Sequence, residues 1–138
     1  GIVGLGTAMA LRTEKLAQRR DHLARLKELL VTGLLEIPGT RVNGPADQTS
    51  LHIISATFRG IDGEMALFHL NQSGVALSLG SACTSQDMEP SHVLTAMGIP
   101  AEDIDGTLRI SLGDPSTALE IKELLRILPE IITKAKLG

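Results

Sequence analysis

Apolar residues along this chain recur first at a period near 3.6 and later, in short stretches, at a period of 2, and the changes between the two mark its elements. From Ile2 to Leu35 the spacing is helical, most clearly at Leu16, Leu23, Leu26, Leu30 and Leu34, with Arg19, Arg20, Lys27 and Glu28 between them. One long amphipathic helix is predicted. Gly1, Gly4 and Gly6 crowd its start, and each glycine costs roughly 1 kcal/mol against alanine in a helix interior. A break is expected there, in a segment packed closely against something or lying at the edge of a larger protein. Glu36-Ile37-Pro38-Gly39 ends the helix, and Asn43-Gly44-Pro45 is a second turn, which leaves room for a short strand at Arg41–Val42.

Leu51–Phe58, rich in isoleucine and threonine, is the clearest strand. Asp62 caps a helix that runs to Ser73 and stops at Gly74, with Met65, Leu67, Phe68 and Leu70 as its expected core face. Val75–Leu79 reads as a short strand leading into Gly80-Ser81-Ala82-Cys83-Thr84-Ser85, six small residues with no apolar period and therefore a loop. Pro90 suits the first turn of a helix over Ser91–Met97, which Gly98 and Pro100 close. Thr107–Leu112 alternates as a strand, with Leu108 and Ile110 inward and Arg109 on the opposite face. Thr117 and Glu120 form a capping box for a final helix, Ala118–Lys136, with a kink expected at Pro129. Helices and short strands joined by brief loops predict an α/β or α+β two-layer sandwich, with helices against one small sheet. At 138 residues this is a single domain, a leading helix over 1–36 followed by sheet, loop and final helix over 37–138.

Composition removes several functions. Hydrophobic residues make up 43% and charged residues 21%, ordinary for a globular domain, so disorder and low complexity fail as readings. Trp and Tyr are absent and Phe58 and Phe68 are the only phenylalanines, too few for a base-stacking platform or an aromatic cage. The net charge of −3 comes from 16 acidic and 13 basic residues spread along the chain, which offers no footprint for nucleic acid or an anionic membrane surface. No apolar run approaches the ~18 to 20 residues of a membrane span, and no leader pattern opens the chain. A cytoplasmic location is expected.

The single cysteine, Cys83, excludes an intrachain disulfide and a multi-cysteine metal site. Its small, polar neighbours leave two readings, a reactive thiol on an accessible loop or an idle cysteine in a mobile one. Arg109 sits in a strand with apolar neighbours, where its guanidinium fork requires an anion. That anion is either a ligand carboxylate or one of Asp103, Asp105 and Asp114. His22, His52, His69 and His92 show no ligand spacing, and no metal site is expected. The glycines of Gly1–Gly6 follow no strand and precede no suitably placed lysine, so they do not form a phosphate loop.

Gly80-Ser81-Ala82-Cys83-Thr84-Ser85, followed by Glu89-Pro90-Ser91-His92-Val93-Leu94 and by Leu108-Arg109-Ile110-Ser111-Leu112-Gly113, resembles the C-terminal part of a cysteine desulfurase of the NifS/IscS-like group, within the class V aminotransferase family. The opening Gly-Ile-Val-Gly-Leu-Gly-Thr-Ala resembles the start of the long helix that leads into that family's small domain. The resemblance implies the small C-terminal domain of the pyridoxal-phosphate-dependent transferase fold, helices against a mostly antiparallel sheet. It implies an enzyme that removes sulfur from L-cysteine, giving L-alanine and a persulfide on a mobile loop cysteine, here Cys83. Arg109 matches the position that holds the substrate α-carboxylate. The further implications are a sulfur-acceptor or iron–sulfur scaffold protein as partner, and a homodimer for the full-length protein.

The family's cofactor lysine follows a histidine, and no His-Lys pair occurs in this sequence. Lys15, Lys27, Lys122, Lys134 and Lys136 all fall in amphipathic helices. The anchor for pyridoxal 5'-phosphate, and the large domain that carries it, are therefore expected upstream, and this segment alone is expected to be inactive. Leu79 stands where the family often has a small polar residue, away from the chemistry. Two other readings accompany this one: a stand-alone persulfide carrier or docking module, and a selenocysteine lyase-like relative.

Overall fold

The computed structural model describes residues 1–45, 49–80 and 91–137. Among these described residues five helices and four strands follow one another as α1 (Ile2–Leu35), β1 (Thr40–Val42), β2 (Ile53–Phe58), α2 (Gly63–Gln72), β3 (Ser78–Leu79), α3 (His92–Ala96), α4 (Ala101–Ile104), β4 (Thr107–Ser111) and α5 (Ala118–Lys134). The strands form one antiparallel sheet in the order β1-β2-β4-β3. Val42, Ile54, Ala56, Phe58, Leu79, Leu108 and Ile110 share one face by strand alternation and belong to the main core with its partly buried rim. α1 and α5 close that core from the helix side, with Leu23, Leu26, Leu30 and Leu34 of the one and Ile121, Leu124, Leu128, Ile131 and Ile132 of the other buried. The sandwich expected from the periodicity is present, with a small addition. α3 and α4 lie across one end of the second face, around a minor cluster of Leu94, Ile99 and Ile104.

Local chemistry explains most boundaries. Asp62 accepts from the Met65 N–H to start α2, and the reciprocal Thr117–Glu120 box starts α5. Gly74 turns with φ +77°, and the Val75 N–H donates to the Leu70 carbonyl. Residues 75–77 therefore finish the α2 C-terminus, which is why β3 is confined to Ser78–Leu79 where a strand from Val75 was expected. α5 runs through Pro129 as one helix to Lys134.

Four further points differ from the expectations. α1 is unbroken from Ile2, because a helix that is already propagating absorbs the modest cost of exposed glycines. Leu16 is exposed rather than core. α1 has 34 residues and α5 has 17, so at 1.5 Å per residue α1 overreaches its partner by half its length, and burial begins only at Leu23. The inward face of α2 is Gly63, Ala66 and Leu70, with Met65 and Phe68 exposed. Here α2 approaches the backbone at Asp105 so closely that a Cβ on Gly63 would collide with the Asp105 carbonyl. Finally, Pro100 leads into α4, a helical turn hidden in the sequence because Ile104 is its only large apolar residue.

Candidate functional site

Arg109 is the third residue of β4 and is exposed on the second face of the sheet, between buried Leu108 and Ile110 on the core face. Its cross-strand partners are Ser55 on β2 and Ser78 on β3. The aspartates considered as internal partners are otherwise placed. Asp103 pairs with Arg59 at 3.5 Å, Asp114 pairs with Arg19, and among the described residues neither these nor Asp105 pairs with Arg109. Arg109 therefore shares the open part of this face with the hydroxyl-bearing residues Ser55 and Ser78.

Below Arg109 the same face is buried and polar. The Asn43 amide nitrogen donates to Ser55 Oγ at 3.1 Å and to Thr57 Oγ1 at 2.8 Å. Thr57 and Thr107 hydroxyls meet at 2.8 Å, and Thr107 Oγ1 donates to the Asp103 carbonyl at 3.1 Å. Sequence reading missed this set. Its trace in the sequence is the spacing of Ser55 with Thr57 and of Thr107 with Arg109, but only the strand register brings the two pairs together. A cavity of about 310 Å³ opens beside the buried end, lined by Arg41, Thr57, Arg59, Ile99 and Asp103 among others, and Arg109 does not line it.

Cys83 and Pro90, with the loop expected after Gly80, lie outside the described residues. Gly80 itself is described. Its N–H donates to the Thr107 carbonyl at 2.7 Å, and a Cβ there would sit 2.8 Å from the Thr107 methyl and 3.2 Å from Leu94. The chain thus enters the Cys83 segment hard against β4, two residues from Arg109.

The lysines do not fit a cofactor anchor. Lys15, Lys122, Lys134 and Lys136 are exposed, Lys134 pairs with Glu130 at 2.7 Å, and Lys27 donates to Thr49. None lines the cavity. Two of the histidines have local partners, His22 the Ser116 carbonyl and His52 the Ser50 hydroxyl. Among the described residues no three His, Cys, Asp or Glu side chains converge as for a metal ion, and no helix is long and apolar enough to cross a membrane.

A small antiparallel sheet backed by α1, α2 and α5 is the architecture of solved relatives with the pyridoxal-phosphate-dependent transferase fold. A NifS-like protein superposes with a TM-score of 0.81 at 29% identity, over 97% of this chain and 33% of that one. A NifS-like protein from Rickettsia africae ESF-5 gives 0.79 at 25% identity, over 96% and 34%. The aminotransferase class-V family model matches residues 1–124, and the chain belongs to that family. Among curated relatives it is 44% identical over 136 residues to the cysteine desulfurase IscS of Methanosarcina thermophila, covering 99% of this chain and 34% of the relative. It is 39% identical to the cysteine desulfurase IscS of Clostridium botulinum, covering 99% and 35%. The chain therefore spans about a third of the length of the curated relatives it matches.

Proposed function

We propose that this chain is the small domain of a cysteine desulfurase, in which Arg109 binds the α-carboxylate of L-cysteine and the Cys83 thiolate takes its sulfur. The observation that carries the reading is the juxtaposition on β4. An arginine with no carboxylate partner among the described residues stands two residues from the point where Gly80 ties down the entry to the Cys83 segment. Net, the Cys83 thiol and L-cysteine give a Cys83 persulfide and L-alanine. The S–S bond forms as the substrate C–S bond breaks, and the electron pair of that bond passes to carbon, which takes a proton and becomes the methyl group of alanine. No outside oxidant or reductant is consumed.

Pyridoxal 5'-phosphate belongs, on this reading, to the remainder of a longer polypeptide, since no lysine here fits its anchor. The persulfide is then handed to an acceptor protein for iron–sulfur cluster assembly, by a homodimer in the cytoplasm. The test is the full-length polypeptide with Cys83→Ser. Sulfur transfer from L-cysteine is expected to fall to background, the cofactor absorbance to stay unchanged, and the mass increase of one sulfur atom at this segment to vanish. Normal sulfur delivery by that variant would sink the assignment.

A further inference from the structure

The buried polar set beneath Arg109 has a fixed direction. A backbone carbonyl can only accept, so Thr107 spends its one proton on the Asp103 carbonyl. In the contact between Thr57 and Thr107 the proton must therefore come from Thr57. With that proton spent, Thr57 Oγ1 can only accept from Asn43, which obliges the Asn43 side chain to present its NH₂ group. The second amide proton goes to Ser55 Oγ. Ser55 thus accepts from Asn43 and keeps its own proton, which is donated to no group among the described residues. Asn43 is 4% exposed, and among the described residues its Oδ1 is buried without a partner, as this direction requires. The amide cannot turn over to satisfy that oxygen without breaking its bond to Thr57.

Ser55 delivers this proton beside Arg109. Backbone bonds from Phe58 N to the Gly106 carbonyl and from Leu112 N to the His52 carbonyl mark hydrogen-bonded pairs of the β2–β4 ladder. Alternation makes Ser55–Arg109 a non-hydrogen-bonded pair, the kind whose side chains stand closest. Thr57–Thr107 has the same parity, in agreement with the 2.8 Å between their hydroxyls.

We propose that the Ser55 hydroxyl is a second donor to the ligand carboxylate that Arg109 binds, held as a donor by the Asn43–Thr57–Thr107 chain. Arg109 supplies charge and Ser55 supplies a directed proton to the other side of the same anion. This rests on the reading that Arg109 receives the amino-acid carboxylate.

In the full-length enzyme, Ser55→Ala is expected to raise KM for L-cysteine about tenfold, as loss of a hydrogen bond to a charged group does, with kcat within about twofold. The dissociation constant of the product L-alanine, measured by calorimetry, rises by the same factor, and Ser55→Thr restores both. Thr107→Val removes the anchor of the chain, so the Asn43 amide can turn over, accept the Ser55 proton and reproduce the effect of Ser55→Ala. Unchanged constants in Ser55→Ala, with both raised in Arg109→Gln, would overturn the serine's role while the carboxylate reading stands. Unchanged constants in Thr107→Val alone would overturn the fixed direction of the chain. If Arg109→Gln also changed neither constant, the carboxylate reading itself would fall, and this inference with it.

Discussion

Replacing Gly63 by alanine separates two opposed physical effects. Gly63 is the first residue of α2, immediately after the Asp62 cap, and on helix propensity alone the added methyl would stabilise the chain by about 0.5–1 kcal/mol. The structure places that methyl against the Asp105 carbonyl, which is backbone, and 2.8 Å from Leu79 Cδ2. Leu79 can shift its side chain, but Asp105 is held between α4 and β4 and leads into Gly106, whose own Cβ would collide with the Phe58 carbonyl. Relief must come from α2 moving away from the sheet, an overpacking cost of about 1–3 kcal/mol. Subtracting the propensity gain leaves a net loss of up to about 2.5 kcal/mol, with a central value just above 1 kcal/mol. Unfolding entropy of about 2.1 cal/mol/K per residue then places the drop in Tm at up to about 9 °C, centrally about 4 °C. Gly4→Ala is the internal control. Among the described residues no atom outside its own helix lies within 4 Å of the added Cβ, so propensity acts alone and the chain gains a few tenths of a kcal/mol to about 1 kcal/mol. Urea unfolding of the three proteins, followed by circular dichroism, measures both differences. A Gly63→Ala protein as stable as the parent would refute the claim that small residues face inward on α2 because of close approach.

Two further outcomes are expected. Thr117→Ala removes a capping box whose hydroxyl and N–H both engage Glu120, and should lower stability by about 1 kcal/mol, seen as a lower urea midpoint at unchanged slope. On α5, hydrogen bonds from Arg126 and Lys134 hold the Glu123 and Glu130 carboxyls below their usual value of 4.5. A depressed folded-state value adds stability that is present above the unfolded value and is lost as pH falls through the folded one. The stability difference between the parent and a Glu123→Gln, Glu130→Gln double variant should therefore shrink as pH is lowered below 4.5, and a difference that persists at about pH 3 would exclude these pairs as its source.

What the sequence disclosed depended on whether a feature is local. β4 was legible because Leu108 and Ile110 alternate with Arg109, and α5 because Thr117 and Glu120 lie within one turn. The inward face of α2 was not, since Met65 and Phe68 outrank Gly63 and Ala66 in any hydrophobicity reading, and only the nearness of Asp105 makes small residues the better fit. The surroundings of Arg109 were illegible for a stronger reason. Whether that guanidinium has an internal partner is decided by residues far away in the chain, Arg59 and Arg19, which occupy Asp103 and Asp114, and by the register that sets Ser55 and Ser78 beside it. A slip of one residue between β2 and β4 would put Ile54 or Ala56 opposite Arg109 and turn the core side chains of β2 to the open face. Burying Ile54, Ala56 and Phe58 therefore selects the same register that brings the Ser55 hydroxyl to Arg109 and joins Thr57 to Thr107. The polar arrangement on one face of the sheet is in this sense a consequence of the apolar packing on the other.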